Sequence, residues 1–215
     1  PWAQPELDQS SIYIRNPHEC YGRWKDAFEN PNQEMHLELG CGRGTFIAKK
    51  AVKNPDINYL AIDIKSDMLG YANRNVQHEY MMANRTTNNI LMCTFDIERI
   101  ALIISEEDVF SRIYINFCNP WPKDRHKKRR LTHTKQLTNY KKFLKKGGQI
   151  FFKTDDDELF TESLDYFKEC GFRLDFITYD MTESSLPDNI ITEHEKMFMD
   201  EGIKIKGFIA VYPEE

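Results

Sequence analysis

The stretch LELGCGRGTF contains the first residues whose types and spacing could do chemistry. Gly40, Gly42 and Gly44 occupy alternate positions between an apolar run and a helix-like one. Glycine at these positions permits a tight strand-to-helix turn and lets a ligand approach the backbone closely. Glu38 lies just before the turn, and a carboxylate there repels pyrophosphate but attracts an ammonium group. The turn therefore favours a ligand with an amino-acid moiety over a dinucleotide.

Two further acids follow the next two predicted strands. Asp63 ends the run LAID, where a carboxylate can accept hydrogen bonds from both hydroxyls of a ribose. Asp96 ends the run CTFD, where a carboxylate could accept one from the exocyclic amine of adenine. Such ligands lie at the carboxyl ends of parallel strands, so an amino acid, a ribose and an adenine together indicate S-adenosylmethionine. Acids after strands are also common N-caps of the following helix, and this alternative stays open.

A stiff corner and a run of positive charge follow the fourth predicted strand. Asn119 and Trp121 alternate with two prolines, which fix φ and lack a backbone donor. Tryptophan offers a stacking surface, and asparagine offers both donors and an acceptor to a purine edge. Residues 123–130, here called the basic strip, include Lys123, Arg125, Lys127, Lys128, Arg129 and Arg130. With Asp124 as the neighbouring acid, we expect these cations not to pair internally and to contact phosphate; a solvated surface is the alternative.

Composition and charge are those of a globular protein with one basic face. The net charge of the 215 residues is −5, but residues 123–135 carry seven Lys or Arg against one Asp. An acidic protein with such a local excess focuses an anionic ligand onto one face. Five scattered cysteines without a CxxC pair predict reduced thiols and no metal site. The sequence shows no signal peptide and no apolar run of about 20 residues, so we expect a cytoplasmic protein without a membrane contact. The chain does not begin with Met, and we expect its natural N-terminus to be missing or trimmed.

Apolar runs and helical patterns alternate along the chain. Seven strands are predicted at 35–40, 57–64, 88–96, 111–118, 149–155, 172–180 and 206–212. Helices are predicted at 45–54, 67–82 with Ser66 or Asp67 as its cap, 134–148 with Gly147 as a stop signal, and 158–171. This alternation predicts an α/β fold, a mostly parallel sheet with helices on both faces. We expect a single domain over 1–215, with an N-terminal extension at 1–33 and a substrate-side insertion at 179–202.

Four motifs together resemble one family over nearly the whole chain. LELGCGRG, NFCNPWPKDRHKKRRL, FFKTDDDELF and TEHEKMF are similar to successive motifs of the bacterial tRNA (guanine-N(7)-)-methyltransferases. The resemblance implies a Rossmann-like class I methyltransferase that uses S-adenosylmethionine. It also implies methylation of N7 of a guanosine in the variable loop of tRNA, usually at position 46.

The resemblance also assigns roles to individual residues. It implies cofactor contacts by Glu38, Asp63, Asp96 and Asn119, which adds Asn119 to the glycine turn and the three acids already predicted from the residues. It implies substrate contacts by Lys123, Asp155, Thr192, Glu193, His194 and Glu195. The charge of the basic strip adds Arg125, Lys128 and Arg129 as predicted phosphate contacts. Ordinary local roles stay open beside these, because Asp155 begins an acidic helix start and Thr192 to Glu195 resembles a capping box.

Position 119 departs from the family pattern, which usually has Asp there, often described as catalytic. Guanine N7 carries a lone pair and no proton, so its methylation needs no general base. Asn119 can accept a hydrogen bond but gives no ionic stabilisation. We therefore expect Asn119 to act catalytically by orienting the base, and catalysis to arise mainly from proximity.

Two other functions fit parts of the sequence. NPWP resembles the signature of amino-group methyltransferases, although its second proline follows the aromatic residue. A non-catalytic RNA-binding protein with a vestigial cofactor fold is the other alternative. The predicted partner is tRNA, with no protein partner required, and the chain is expected to be a monomer or a homodimer.

Overall fold

The computed structural model describes residues 2–215. Pro1, which belongs to the predicted N-terminal extension, lies outside the described residues. The chain forms two compact units, the first ending at Phe110 and the second beginning at Ser111. The single-domain interpretation and the assignments of 1–33 and 179–202 remain predictions.

The first unit is a three-stranded parallel sheet with helices. Its elements are α1 (Ala3–Gln9), β1 (Glu34–Leu39), α2 (Thr45–Lys53), β2 (Ile57–Asp63), α3 (Ser66–Met82) and β3 (Ile90–Thr94). The strands are ordered β3-β2-β1, and both neighbouring pairs are parallel. Leu37 pairs with Leu60 and Leu60 with Leu91, all three of them buried. Such continuous apolar strands are typical of a parallel sheet covered on both faces.

The segment before β1 is anchored within the first unit. The Trp24 side chain is fully buried, and its indole N–H donates to the Ile103 carbonyl at 2.7 Å. The buried Asp108 carboxylate accepts the backbone N–H groups of Gly22 at 2.8 Å and Trp24 at 2.9 Å. These bonds satisfy backbone N–H groups of a turn, which lies outside the strands and therefore lacks strand partners.

The second unit contains four strands and three helices. Its elements are β4 (Phe110–Asn116), which starts at the boundary, α4 (Thr134–Tyr140), β5 (Leu144–Thr154), α5 (Asp157–Glu169), β6 (Arg173–Thr178), α6 (Glu193–Asp200) and β7 (Lys206–Val211). The strands are ordered β4-β5-β7-β6, and β7 is antiparallel to both of its neighbours. The last strand of the chain therefore inserts between two earlier ones.

The predicted helix at 134–148 is wrong in its second half. Helix α4 ends at Tyr140, and residues from Leu144 onward belong to β5. Gly147, at φ +77°, and Gly148 exchange backbone hydrogen bonds with Tyr212, which draws this stretch into the sheet. The apolar residues that suggested the helix are all buried, namely Leu137, Tyr140, Phe143 and Leu144. Their spacing therefore identified the core positions but not the backbone conformation.

Three other predictions about element ends are also wrong. Neither Ser66 nor Asp67 caps α3, because the N-cap is Lys65 and no side chain bonds there. Strand β4 ends at Asn116 rather than 118, and β3 ends at Thr94 rather than 96. Among residues 2–215, no helix combines the length and the apolar character needed to span a bilayer.

Candidate active site

The three glycines of the turn after β1 all have left-handed backbone conformations. Their φ angles are +74° at Gly40, +53° at Gly42 and +68° at Gly44. A Cβ atom on Gly44 would lie 2.7 Å from the Cβ of Ala72, so this glycine lets α3 pack against the turn. A Cβ atom on Gly42 would meet no heavy atom within 4 Å. Gly42 therefore borders open space, where a ligand can approach the backbone.

Asp63 ties the glycine turn to the end of β2. One carboxylate oxygen accepts the Gly42 N–H at 2.8 Å, and the other accepts the Lys65 N–H at 2.9 Å. Asp63 is 9% exposed and does not cap α3. Its first role is therefore to fix the turn, and each oxygen keeps a second lone pair for a ligand hydroxyl.

The three predicted cofactor acids lie at one edge of the first unit. Glu38 is the penultimate residue of β1, Asp63 ends β2, and Asp96 lies two residues beyond β3. Because these three strands are neighbouring and parallel, their carboxyl ends share an edge. Asp96 also caps the 3-10 helix Ile97–Leu102 by accepting the Glu98 N–H at 3.0 Å. The N-cap alternative is thus realised at Asp96 and not at Asp63.

These residues fit S-adenosylmethionine. The open space beside Gly42 adjoins the Asp63 carboxylate, and Glu38 and Asp96 lie at the same edge of the three parallel strands. Three carboxyl groups at one edge favour a cation and repel an anion. A neutral or cationic ligand rich in hydrogen-bond donors therefore suits this edge better than a phosphorylated one.

Two of the predicted site residues of the second unit, Asn119 and Asp155, follow strand ends that lie side by side. Phe117, just past β4, donates its N–H to the carbonyl of Lys153, near the end of β5, at 2.9 Å. Asn119 lies three residues beyond β4 and is exposed, and Asp155 directly follows β5. Asn119 therefore belongs to a loop at the strand edge and not to the strand end itself.

The corner at Asn119 is internally braced. The Asn119 side-chain oxygen accepts the backbone N–H of Trp121 at 3.0 Å. Trp121 has φ +43°, a conformation that is unfavourable for residues other than glycine, and the bond supports it. The Arg129 guanidinium lies over the Trp121 ring, 4.1 Å from the centroid, and the His126 ring meets it edge-on at 5.7 Å. Trp121 therefore carries a cation on one face, a contact that sequence reasoning missed.

The basic strip divides into an inward and an outward set, which corrects the expectation that it does not pair. Lys127 forms ion pairs with Asp124 at 3.1 Å and with Glu158 and Glu162 of α5 at 2.7 and 2.6 Å. Arg130 is fully buried and pairs with Glu162 at 2.5 Å. The acids were missed because they lie about 30 residues further along the chain.

Glu162 is the carboxylate on which this pairing converges. Burial raises its pKa, but hydrogen bonds from Lys127 and Tyr166 and the charge of Arg130 outweigh that, so the pKa falls to about 2. Glu162 is therefore ionised at neutral pH and holds the two inward cations. The outward set is exposed and consists of four of the six predicted phosphate contacts, Lys123, Arg125, Lys128 and Arg129, whereas Lys127 and Arg130 face inward.

Helix α6 is fixed against the strand ends by a buried ion pair. The Glu195 carboxylate lies 2.5 Å from the Lys153 ammonium, and each side chain is 1% exposed. Glu195 also accepts from the Asn189 amide at 2.9 Å, and Lys153 donates to the side-chain oxygen of Asn189 at 2.9 Å. These bonds satisfy two charges that would otherwise be costly to bury. Contact between Glu195 and the substrate remains a prediction.

The start of α6 confirms half of the predicted capping box. Thr192 is the N-cap, and its hydroxyl accepts the Glu195 N–H at 3.2 Å, whereas the Glu195 carboxylate turns inward. His194 is exposed and packs edge-on against Phe117 at 5.2 Å, and Glu193 is exposed beside it. Asp156, not Asp155, caps α5 by accepting the Leu159 N–H at 2.7 Å. The structure thus brings Asn119, Asp155 and residues 192–195 to one edge of the second unit.

The sequence did not indicate that two cations are buried. Lys153 lies within the motif FFKTDDDELF, and its one signal is a lysine inside an apolar strand. Arg130 is indistinguishable in sequence from the exposed cations beside it. Both are identified by burial, which depends on tertiary contacts.

Comparison with known proteins places the chain among methyltransferases. A family model described as "Putative methyltransferase" matches residues 32–207. A Clostridium beijerinckii protein named tRNA (guanine-N(7)-)-methyltransferase is 58% identical over 98% of this chain and 96% of its own length. A protein of the same name from Clostridium perfringens strain 13 is 53% identical, with the same coverage.

Solved structures support the fold. The chain is similar to the 16S rRNA methyltransferase KamB, with a TM-score of 0.60 and 12% identity over 84% of this chain and 88% of that one. It is also similar to a putative S-adenosylmethionine dependent methyltransferase from Listeria monocytogenes, with a TM-score of 0.56 and 16% identity over 85% and 91% of the two chains. These similarities confirm the predicted Rossmann-like α/β fold with a mostly parallel sheet.

The high identities extend over nearly the full length of both partners, and they include the region of all four motifs that suggested the family. The chain belongs to the bacterial tRNA (guanine-N(7)-)-methyltransferase family.

Proposed function

We propose that this protein transfers the methyl group of S-adenosylmethionine to N7 of a guanosine in tRNA, forming 7-methylguanosine. The observation that carries the proposal is its 58% identity, over 98% of the chain, to a relative bearing that name. We further propose that the target is position 46 in the variable loop.

The first unit supplies the cofactor site in this proposal. Glu38 meets the ammonium of the amino-acid moiety, Asp63 the ribose hydroxyls and Asp96 the adenine amine. The glycine turn, with open space at Gly42, lets the ligand lie against the backbone. Asp63 contributes twice, because its bonds to the Gly42 and Lys65 N–H groups hold the turn in its binding conformation.

The second unit supplies the RNA site. The outward cations of the basic strip contact phosphates, which fixes the position of the RNA without reading its sequence. The corner at Asn119 and Trp121 offers an amide and an aromatic ring to an unpaired base, the form in which RNA sequence is usually read. Asp155 and the start of α6 complete the edge with further polar groups.

The chemistry demands orientation more than proton transfer. S-adenosylmethionine, when bound, supplies an electrophilic methyl carbon, and guanine N7 carries a lone pair and no proton. No residue of the chain therefore has to act as a general base. Asn119 orients the base with its amide N–H groups, while its oxygen holds Trp121. Fixing the two reactants in this way supplies most of the rate enhancement.

The protein is proposed to work in the cytoplasm on tRNA, without a required protein partner and as a monomer or homodimer. Its acidic total charge and local basic strip suit one anionic partner bound on one face.

A cleavage assay tests the proposed position. An unmodified tRNA transcript is incubated with protein and methyl donor, then treated with borohydride and aniline, which cleave the chain at 7-methylguanosine. One cleavage in the variable loop supports the proposal, and cleavage elsewhere contradicts position 46. Methylation without cleavage indicates the amino-group alternative. Absence of heat on titration with S-adenosylmethionine indicates the non-catalytic RNA-binding alternative.

A further inference from the structure

Arg130 ends the basic strip with a guanidinium that is 0% exposed. Its Nε donates to the Pro120 carbonyl at 2.7 Å, and its Nη1 donates to the Glu162 carboxylate at 2.5 Å and the Tyr166 hydroxyl at 3.3 Å. A guanidinium with its donors fixed in a planar fork is rigid once several partners hold it. This side chain is therefore unsuited to contact phosphate and suited to hold backbone in place.

The bond from Arg130 to Pro120 closes a loop of the chain. The loop starts at the proline between Asn119 and Trp121, runs through all the outward cations, and returns at Arg130. The Pro120 carbonyl belongs to the peptide unit that leads into Trp121, whose φ is +43°. Holding that carbonyl fixes the orientation of a residue in an unfavourable conformation.

Helix α5 anchors the closed loop at a second point. Lys127 joins Glu158 and Glu162 to Asp124, so the 3-10 helix Asp124–Arg129 has its inward face held by ion pairs. Its other cations, with Lys123 just before it, remain exposed. Glu162 serves both Lys127 and Arg130 and is the common support of the loop.

We infer that Arg130 is a positioning residue, which holds the Asn119–Trp121 corner and the basic strip as one rigid loop. The base-contacting corner and the phosphate-contacting side chains then keep a fixed separation. This inference rests on the proposed function, because it names what positions the RNA-side residues of that same site.

The test compares Arg130→Lys with Arg173→Lys. Both variants keep the positive charge and lose the planar fork, and the exposed Arg173 pairs with Asp175 of the same strand, β6, at 2.5 Å. Lysine cannot reach Pro120 and Glu162 together.

For Arg130→Lys we expect kcat at saturating tRNA to fall about ten- to a hundredfold, as expected for a misplaced reactant. The Kd for S-adenosylmethionine should stay unchanged and the Kd for tRNA should change by less than about threefold, because the outward cations remain. Arg173→Lys should match the wild type in kcat and in the Kd values for S-adenosylmethionine and tRNA.

A second readout does not require activity. Hydrogen exchange measured by mass spectrometry should speed up over residues 119–130 in Arg130→Lys and not in Arg173→Lys. If the wild type makes no 7-methylguanosine but the exchange result holds, the proposed function fails while the positioning of the loop stands. Wild-type kcat together with unchanged exchange in Arg130→Lys would overturn the inference.

Glu162→Gln settles the case in which Arg130→Lys does not fold. Glutamine keeps an acceptor for Arg130 but removes the charge that also holds Lys127. Lowered kcat with normal cofactor affinity in this variant supports the inference, and unchanged kcat with unchanged exchange over 119–130 refutes it.

Discussion

Asn119 shows how one side chain can serve both structure and chemistry. Its oxygen accepts the Trp121 N–H within the protein, and the two amide N–H groups can donate to other partners. The residue is exposed, so those donors are accessible to RNA. An aspartate at this position could hold Trp121 equally well, because a carboxylate also accepts hydrogen bonds. Asparagine in place of the family's usual aspartate therefore keeps the bond that holds the turn but removes a negative charge.

Substitutions at position 119 separate these two roles. We expect Asn119→Asp to keep kcat within about tenfold of the wild type, because the bond to Trp121 survives. Asn119→Ala removes that bond and should lower kcat further. Steady-state kinetics with a tRNA transcript measures both. Full activity of the alanine variant would show that orientation by this side chain is unimportant.

Glu162 gives a pH dependence at the residue scale. Its folded-state pKa of about 2 lies below the ordinary value of 4.5, so the unfolded chain takes up the proton first as the pH falls. The stabilisation is complete above about pH 4.5 and is lost between there and about pH 2. The urea midpoint of the wild type should exceed that of Glu162→Gln at neutral pH, and this difference should shrink below about pH 4.5. A difference that is constant with pH would exclude the ion pairs as its source.

The sequence could not reveal which cations of the strip face inward. Lys127 and Arg130 differ from their neighbours only in lying opposite Glu158 and Glu162, and that proximity depends on how α5 packs. The sequence indicated that the strip as a whole is rich in positive charge, but an exposed cation and a buried one look alike in it. A buried charge needs a partner, and the partner came from elsewhere in the chain.

At the scale of elements, the predicted cofactor and substrate residues lie near strand ends, and contacts with helix starts hold them in place. Glu38, Asp63 and Asp96 share one edge of the first unit. In the second unit, α6 is fixed beside the end of β5 by the Lys153–Glu195 pair. Removing one partner of such a buried pair leaves the other charge buried without compensation, which is costly. The pair therefore holds the start of α6 firmly.

The glycine turn provides a test of packing between elements. Gly44→Ala and Gly171→Ala both force alanine into a left-handed conformation, at φ +68° and +79°. The strain should cost each variant about 1–2 kcal/mol. Gly44→Ala also drives a Cβ to 2.7 Å from that of Ala72, which should cost about 1–3 kcal/mol more, whereas a Cβ on Gly171 meets no atom within 4 Å. Chemical denaturation measures both, and equal losses would mean that α3 moves aside without cost.

Periodicity predicted the elements better than their ends. The alternation of apolar runs gave the strands and most helices, because it reflects burial. It extended one helix too far, since Phe143 and Leu144 are buried equally well in a turn and a strand. The placement of β7 between β5 and β6 depends on pairing between distant segments, which no local pattern contains.

For the whole molecule, the uneven charge is the property most relevant to function. A protein of net charge −5 repels RNA except where cations gather, and residues 123–135 are such a place. The inward cations stabilise the loop, so the outward ones alone are available to bind phosphate.

Salt dependence distinguishes these cations from other exposed lysines. Lys128→Ala combined with Arg129→Ala should weaken tRNA binding and lower the slope of log Kd against log salt by roughly 0.7 to 0.9 for each phosphate that is no longer neutralised. Lys142→Ala combined with Lys145→Ala removes the same charge from exposed positions outside the strip. Filter binding over a range of salt concentrations compares the pairs. If the two double variants gave identical slopes of log Kd against log salt, total charge, and not the strip, would govern binding.

The most direct measurement is mass spectrometry of the nucleosides from an unmodified tRNA transcript incubated with the protein and S-adenosylmethionine. The account predicts that 7-methylguanosine forms, at up to one residue per tRNA molecule, and only when the methyl donor is present. A methylated exocyclic amine in its place, or no methylated nucleoside from protein that binds both ligands, would contradict the account.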